Sequence, residues 1–376
     1  DIYSFNGFIA DQVRTDAYVA ALRESVTPGC TVLDLGAGTG FFAILACKLG
    51  AAKAYAIEYN DALQLGPEMA QLNGCADRIE FIHDLSTRVT LPEPVDVIVC
   101  DLRGAMPWYG EGVSSVIDAR KRLLRPGGKL IPLRDELSAV VVDAPEVYDA
   151  RVTSLHQTRF GIEQTPTRRF LVNTWFHAEV RPDQYLTEPA AWTTLDYTSV
   201  EDPNPNGELT WTVQRDGTAY GVSIWFRAHL GPGISFTTEP GEPQLVYGNP
   251  FFPFEQSVAV KAGDEIKFAL RADLTGGDYV WSWETRVMGP EGEKAHYQQS
   301  TFKGNLVSLD RLRKQAAAYV PQRNQDGEVD RAILSLMDGQ TSLEAIAVEI
   351  AGRYPHRFTQ WKEALAHAGE LAAKYS

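Results

Sequence analysis

Asp34 opens a run in which Gly36, Gly38 and Gly40 alternate with other residues, and Glu58 comes after one helical and one apolar segment. Glycines spaced G-x-G-x-G let a backbone turn tightly and approach a ligand without Cβ interference. A carboxylate at the carboxyl end of the next strand can accept both hydroxyl protons of a ribose, because open α/β sheets bind ligands at that edge. The set grips a nucleoside and leaves its other end free for chemistry. Dinucleotide loops place the third glycine one residue later, so that a pyrophosphate can sit on the helix N-terminus. In this chain the earlier glycine favours a nucleoside cofactor of another kind.

The elements that must position these residues are legible around them. Thr31–Leu35 is a short apolar strand, Phe41–Leu49 has helical apolar spacing with Gly50 as its stop, and Lys53–Ile57 is the next strand. Ile79–Ile82, Val95–Cys100 and Lys129–Ile131 continue the alternation, which predicts a doubly wound α/β, Rossmann-like domain over 1–133. Beyond Leu133 the pattern becomes all-β: Leu137–Val142, Glu208–Val213, Gly221–Ala228, Gln256–Val260, Glu265–Leu270 and Tyr279–Val287, separated by Gly/Pro turns. An all-β domain over 134–310, β-barrel or sandwich, is the expectation, with 147–185 an inserted arm or simply part of the barrel. Residues 325–376 read as a small helical module.

The 376 residues carry a net charge of −14, which argues against a nucleic-acid partner and suits a basic one. Cys30, Cys47, Cys75 and Cys100 form no C-x-x-C pair, and none of the seven histidines has metal-like spacing, so no metal site is expected. Buried free thiols point to a reducing, cytoplasmic setting. No signal peptide or membrane-length apolar run is evident.

Together the motifs resemble the protein arginine methyltransferases, over roughly Asp1 to Leu306. Asp11-Gln12-Val13-Arg14-Thr15 is similar to the family's D-E-V-R-T, whose arginine pairs with the carboxylate of the cofactor, S-adenosylmethionine. Asp34, Gly36, Gly38 and Gly40 match its first motif, and Glu58 matches its ribose carboxylate. Leu123-Leu124-Arg125-Pro126-Gly127-Gly128 resembles its L-K-P-G-G turn, Leu130-Ile131-Pro132 the exit into its barrel, and Gly263-Asp264-Glu265-Ile266 the end of an ungapped barrel stretch from Tyr247. Asp84-Leu85 falls where many methyltransferases contact adenine. This cofactor has no phosphate; its sulfonium and amino-acid end need carboxylates and backbone groups.

The resemblance also implies an acceptor site. The family holds a target guanidinium between two glutamates on a hairpin-like loop, since carboxylates accept paired N–H bonds from that planar group. The first glutamate falls on Asp101, one methylene shorter, and the second on Gly110, with Glu111 one residue late. Arg103 lies in the same loop. A cation beside a guanidinium is unfavourable unless turned away, so the expectation is a surface ion pair or, for an acidic acceptor, a group that orients a carboxylate. The family's T-H-W falls on Leu245-Val246-Tyr247, which keeps only an aromatic. Phe8 stands where many members carry methionine and the symmetric-dimethylating members carry phenylalanine.

The activity implied by the resemblance is methyl transfer to a protein or peptide side chain, with arginine leading, by a homodimer joined through the arm. Two other readings stay open: N- or O-methylation of a small molecule or a different peptide side chain, and a peptide-recruiting binding protein on a methyltransferase scaffold. In the tail, Thr341-Ser342-Leu343-Glu344 is a capping-box signature. The segment resembles the helical part of the PqqD-like proteins, which bind leader peptides; a helical cap on the enzyme is the plainer reading.

Overall fold

The computed structural model describes residues 2–153, 161–306 and 308–376. Its N-terminal half begins with helices α1 (Ile2–Ala10) and α2 (Gln12–Ser25). Strands β1 (Thr31–Leu35), β2 (Lys53–Glu58), β3 (Ile79–His83), β4 (Val95–Cys100) and β5 (Leu124–Ile131) then alternate with α3 (Phe41–Lys48), α4 (Gly66–Leu72) and α5 (Gly112–Arg122). The five strands form one parallel sheet in the order β3-β2-β1-β4-β5. The near-continuous burial of β1, β2 and β4 fits strands in the middle of a sheet covered on both faces. The order reverses between β1 and β4, where Leu35 pairs with Cys100, so the chain leaving both strands opens into one crevice.

At β5 the L-R-P-G-G run is not a turn before the strand. The strand starts at Leu124 and bulges, since Val95 pairs with Leu124 but Val97 with Lys129. Gly127, at φ 76°, supplies the left-handed step inside that bulge.

From β6 (Arg134–Val142) onward the strands are antiparallel: β7 (Phe176–His177), β8 (Ala190–Asp196), β9 (Asn206–Thr212), β10 (Gly217–Gly231), β11 (Ile234–Thr237), β12 (Pro250–Val260), β13 (Glu265–Thr275), β14 (Asp278–Gly289) and β15 (Gly292–Ser300). They make two sheets, β7-β12-β10-β6-β8 with β11 on β10, and β15-β14-β13-β9. Side chains alternate between faces along a strand. Leu137, Ala139 and Val141 of β6 join the main core, which is continuous with that of the parallel sheet. Val140 and Val142 point the other way, where Tyr148, Val152, Val172 and Val180 cover them. The described part of the expected arm is therefore packed on the barrel, with the Tyr148 hydroxyl donating to the Phe254 carbonyl at 3.0 Å. Residues 154–160 of that arm lie outside the described residues.

The chain divides into two compact units, 1–306 and 307–376. The second contains helices Leu309–Gln315, Gln325–Leu336, Leu343–Arg353 and Trp361–Tyr375, and no strand among its described residues. Its own core includes Val329, Ile333, Ile346, Ile350, Phe358 and Ala368. The cap falls one residue later than the capping-box reading: Ser342, not Thr341, accepts from the Ala345 amide, while Thr341 donates to Asp338. Residues 308–376 expressed alone should give a helical circular-dichroism spectrum and a cooperative melt that Ile350→Ala lowers by about 2–5 kcal/mol. A featureless melt of the parent fragment would contradict an independent core.

Candidate active site

The parallel strands bring the residues expected to hold a cofactor to one edge. Gly36, Gly38 and Gly40 have φ of 75°, 55° and 81°, a left-handed run that only glycine adopts without strain. The turn is held by the Gly36 and Ala37 amides, which donate to the Ile57 carbonyl, and by the Gly38 amide, which donates to Glu58 Oε2 at 3.0 Å. Glu58 Oε1 accepts from the Asn60 amide at 2.8 Å, so the carboxylate is fixed at the carboxyl end of β2. Asp34 is buried at the end of β1 and accepts from the Ala43 amide in the first turn of α3 at 2.9 Å. Burial, against that hydrogen bond, pushes its carboxyl up to about 7, with the Glu58 charge adding to the shift.

These residues fit a nucleoside cofactor. The Thr39 hydroxyl, in the middle of the glycine loop, is buried with no hydrogen-bond partner among the described residues, a state a bound polar group would relieve. A Cβ at Gly38 would reach 2.6 Å from the Phe5 ring of α1, and one at Gly36 would collide with the Leu102 side chain. The loop is thus roofed by α1 on one side and by the loop after β4 on the other. Asp84 comes just after β3 on the same edge and accepts from the Leu85 amide at 2.7 Å; Leu85 is exposed.

Across the crevice from the glycines stands Asp101. Arg14 reaches its Oδ2 with Nε and Nη2, both at 2.6 Å, and the Tyr247 hydroxyl donates to the same oxygen at 2.5 Å. Burial keeps Tyr247 a phenol, and the Asp101 charge adds to that effect. The Arg14 guanidinium carbon lies 4.9 to 5.5 Å from the ring centroids of Phe8, Tyr18 and Phe42, and its Nη1 donates to the Phe8 carbonyl. Burial opposes its charge, but Asp101 together with Tyr247 and Tyr18 outweighs that effect and raises its pKa. Asp11 caps α2 at the Arg14 amide and also accepts from the Val246 amide at 2.8 Å, tying the helix that carries Arg14 to the segment that carries Tyr247. Phe8 meets Tyr247 edge to face.

Arg103 departs from the expected surface ion pair. It is 4% exposed. Its Nε and Nη2 grip both oxygens of Asp135 at 3.1 Å, and its Nη1 donates to the Tyr18 hydroxyl at 2.9 Å and to Asp101 Oδ1 at 3.1 Å. Arg103 cannot reach out to an acidic acceptor while so engaged. Tyr197 completes the cluster by donating to Asp135 Oδ2 at 2.7 Å. Asp135, Tyr18 and Tyr197 were not singled out by sequence. For Asp135 a signal was present: it is an ionisable residue at an inward position of a strand whose other inward positions are apolar.

Glu111 is exposed just before α5, with its Oε1 facing Gly277 in the β13–β14 turn. The hydrogen bonds and ion pairs of Asp101 among the described residues go to Arg14, Arg103 and Tyr247 instead. The loop between Asp101 and Glu111 is pinned to the barrel by Trp108, whose ring packs on Trp192 and Trp281. No group of side chains suited to a metal occurs among the described residues, and no helix among them is long and apolar enough to cross a membrane.

Glycine loop, strand-end carboxylates and barrel define an S-adenosylmethionine-dependent methyltransferase, and comparisons give it a context. Residues 13–132 match the family model described as ribosomal protein L11 methyltransferase (PrmA). Over a longer span the chain resembles the protein arginine methyltransferases. It is 26% identical to protein arginine N-methyltransferase 6 of Xenopus laevis, covering 71% of this chain and 82% of that protein. It is 29% identical to the arginine N(omega)-methyltransferase of Streptomyces achromogenes subsp. streptozoticus, covering 69% and 73%. The Trypanosoma brucei PRMT1 enzyme-prozyme heterotetrameric complex with AdoHcy shares the fold with a TM-score of 0.73 at 21% identity, covering 79% of this chain and 96% of that one. Arabidopsis thaliana protein arginine methyltransferase 10 does so at 0.69 and 20%, covering 80% and 97%.

The raised Asp34 carboxyl has a stability consequence. The folded state holds this proton to about pH 7, whereas the unfolded chain releases it near the ordinary aspartate value, so the stability it lends is lost as pH rises through that window. Asp34→Asn should be more stable than the parent by a margin that widens from about pH 4 to pH 7 and is flat above. Thermal unfolding across that range checks this; a constant margin would contradict it.

Proposed function

We propose that this enzyme transfers a methyl group from S-adenosylmethionine to a guanidine nitrogen of an arginine, with Asp101 as the carboxylate that holds the acceptor. The observation that carries this reading is the state of Asp101 Oδ2. It already binds a guanidinium, that of Arg14, through two N–H groups with aromatic rings around the planar carbon. Those are the contacts an acceptor arginine would make.

When bound, the cofactor supplies an electrophilic methyl group on a sulfonium. On this reading Arg14 pairs with its carboxylate, Asp34 with its ammonium and Glu58 with its ribose hydroxyls, while Asp84 and Leu85 border its adenine. Drawing Arg14 away vacates Asp101 Oδ2 for the acceptor. Asp101 then accepts N–H bonds from the acceptor, keeps positive charge on the far nitrogens and leaves a lone pair on the near one. Phe8 and Tyr247 wall the path. Holding nucleophile and methyl in line is worth roughly 7–11 kcal/mol. The nitrogen that gains the methyl must lose a proton, and Asp101 is the nearest acceptor for it.

Engagement of Arg103 by Asp135 counts against O-methylation of an acidic acceptor. The intact glycine loop and Glu58 count against a scaffold that only recruits peptides. The acceptor arginine is either free or within a peptide; the Streptomyces relative named for arginine without the word protein supports the first. A homodimer joined through 147–185 is part of the proposal, supported by exposed Tyr59, Leu65, Leu72 and Ile162.

A methyl-transfer screen against free arginine, arginine-rich peptides, acidic peptides and amine metabolites tests the reading. Label in the guanidine classes is expected, and label only in the acidic or amine classes would overturn it. Asp101→Asn should lower turnover at least about a hundredfold, with cofactor affinity by calorimetry unchanged or tighter, since Arg14 is released from its internal partner. Arg14→Ala should weaken cofactor binding first.

A further inference from the structure

Asp101 has two oxygens, and they are held differently. Oδ2 meets Arg14 and Tyr247, from α2 and the segment before β12. Oδ1 meets Arg103, at 3.1 Å. Arg103 in turn is oriented by Asp135, whose two oxygens take its fork. A bidentate pair fixes the plane of a guanidinium as well as its charge. Asp135 is fully buried on β6, a strand paired on both sides, with Ala228 of β10 and Leu195 of β8. Its carboxylate is held further by Tyr197, and Arg103 lies against the rings of Phe226 and Phe236.

We propose that Asp135 is a positioning residue for methyl transfer: by fixing Arg103 it makes Arg103 reserve Oδ1 of Asp101, so that the acceptor meets Oδ2 alone. This rests on the reading of Asp101 as the acceptor's carboxylate. Charge and geometry have two consequences here. The Arg103–Asp135 pair is neutral as a unit, so it anchors Asp101 without cancelling the negative charge that attracts a guanidinium. And without Asp135 the Arg103 fork is free to close on both oxygens of Asp101, competing with the acceptor for the same carboxylate. The barrel strand thereby sets the aim of a carboxylate that belongs to the parallel sheet.

The test compares the parent with Asp135→Asn, Arg103→Met and the double variant, each checked by its melting curve and by its calorimetric affinity for S-adenosylhomocysteine. The double variant removes the buried pair whole, a change that tends to preserve folding where loss of one partner does not. It should bind S-adenosylhomocysteine like the parent yet lose kcat by about tenfold or more, because Asp101 is no longer held. Asp135→Asn alone should show the larger rise in acceptor KM, since its free Arg103 competes with the acceptor; adding Arg103→Met should relieve that rise. A double variant with kcat and acceptor KM within roughly twofold of the parent would overturn the proposal. So would a drop in activity matched by an equal loss of cofactor affinity, which would make the pair merely structural. If the parent methylates no guanidine acceptor at all, the proposed function fails and this inference falls with it.

Discussion

One carboxylate, Asp101, lies between two guanidiniums, and most of the site is organised by how that contact is satisfied. Arg14, Asp101, Arg103 and Asp135 alternate in sign through a buried path, with side chains at most about a twentieth exposed. Removing ionised groups from water costs several kcal/mol each unless geometry and further hydrogen bonds offset it. Here Tyr18, Tyr197, Tyr247 and the Phe8 carbonyl take up the remaining donors and acceptors. The arrangement explains why elements distant in sequence must meet: α1 and α2 supply Phe8, Arg14 and Tyr18, the end of β4 supplies Asp101 and Arg103, and the barrel supplies Asp135, Tyr197 and Tyr247.

The two ends of this path have different standing. Arg103 and Asp135 face each other as a closed pair inside the core where β4 runs toward the barrel. Arg14 sits at the first turn of a helix, between Asp101 and the glycine loop, and in the proposed reaction it has a second anionic partner in the cofactor. A contact that one partner can leave and another cannot is a simple way to couple cofactor binding to the readiness of the acceptor site. The buried Asp34 belongs to the same balance of charge, since a cofactor ammonium would stabilise the anion that burial disfavours.

Much of the cofactor side is legible in the sequence. Positive φ at Gly36, Gly38 and Gly40 suits the residue type, and the strands around them carry a largely apolar signal interrupted by Asp34 and closed by Glu58. The acceptor side is harder to read. Arg103 looks like a surface charge because its partner, Asp135, comes later in the chain and in a different sheet; no local pattern links them. Glu111, close to Asp101 in sequence, points instead toward the β13–β14 turn. Strands β8, β11 and β15 escape sequence reading because they are short or polar on one face, with burial set by neighbours rather than by their own composition. The L-R-P-G-G segment reads as a turn because its bulge is visible only in the pairing with β4.

The most direct test of the proposed exchange at Asp101 is a crystal structure of the enzyme with S-adenosylhomocysteine bound. The Arg14 guanidinium is predicted to leave Asp101 Oδ2 for the cofactor carboxylate, while the Arg103 contacts to Asp135 and to Asp101 Oδ1 stay as they are. A bound complex in which Arg14 still holds Asp101 would contradict the exchange, because the oxygen assigned to the acceptor would then never become free.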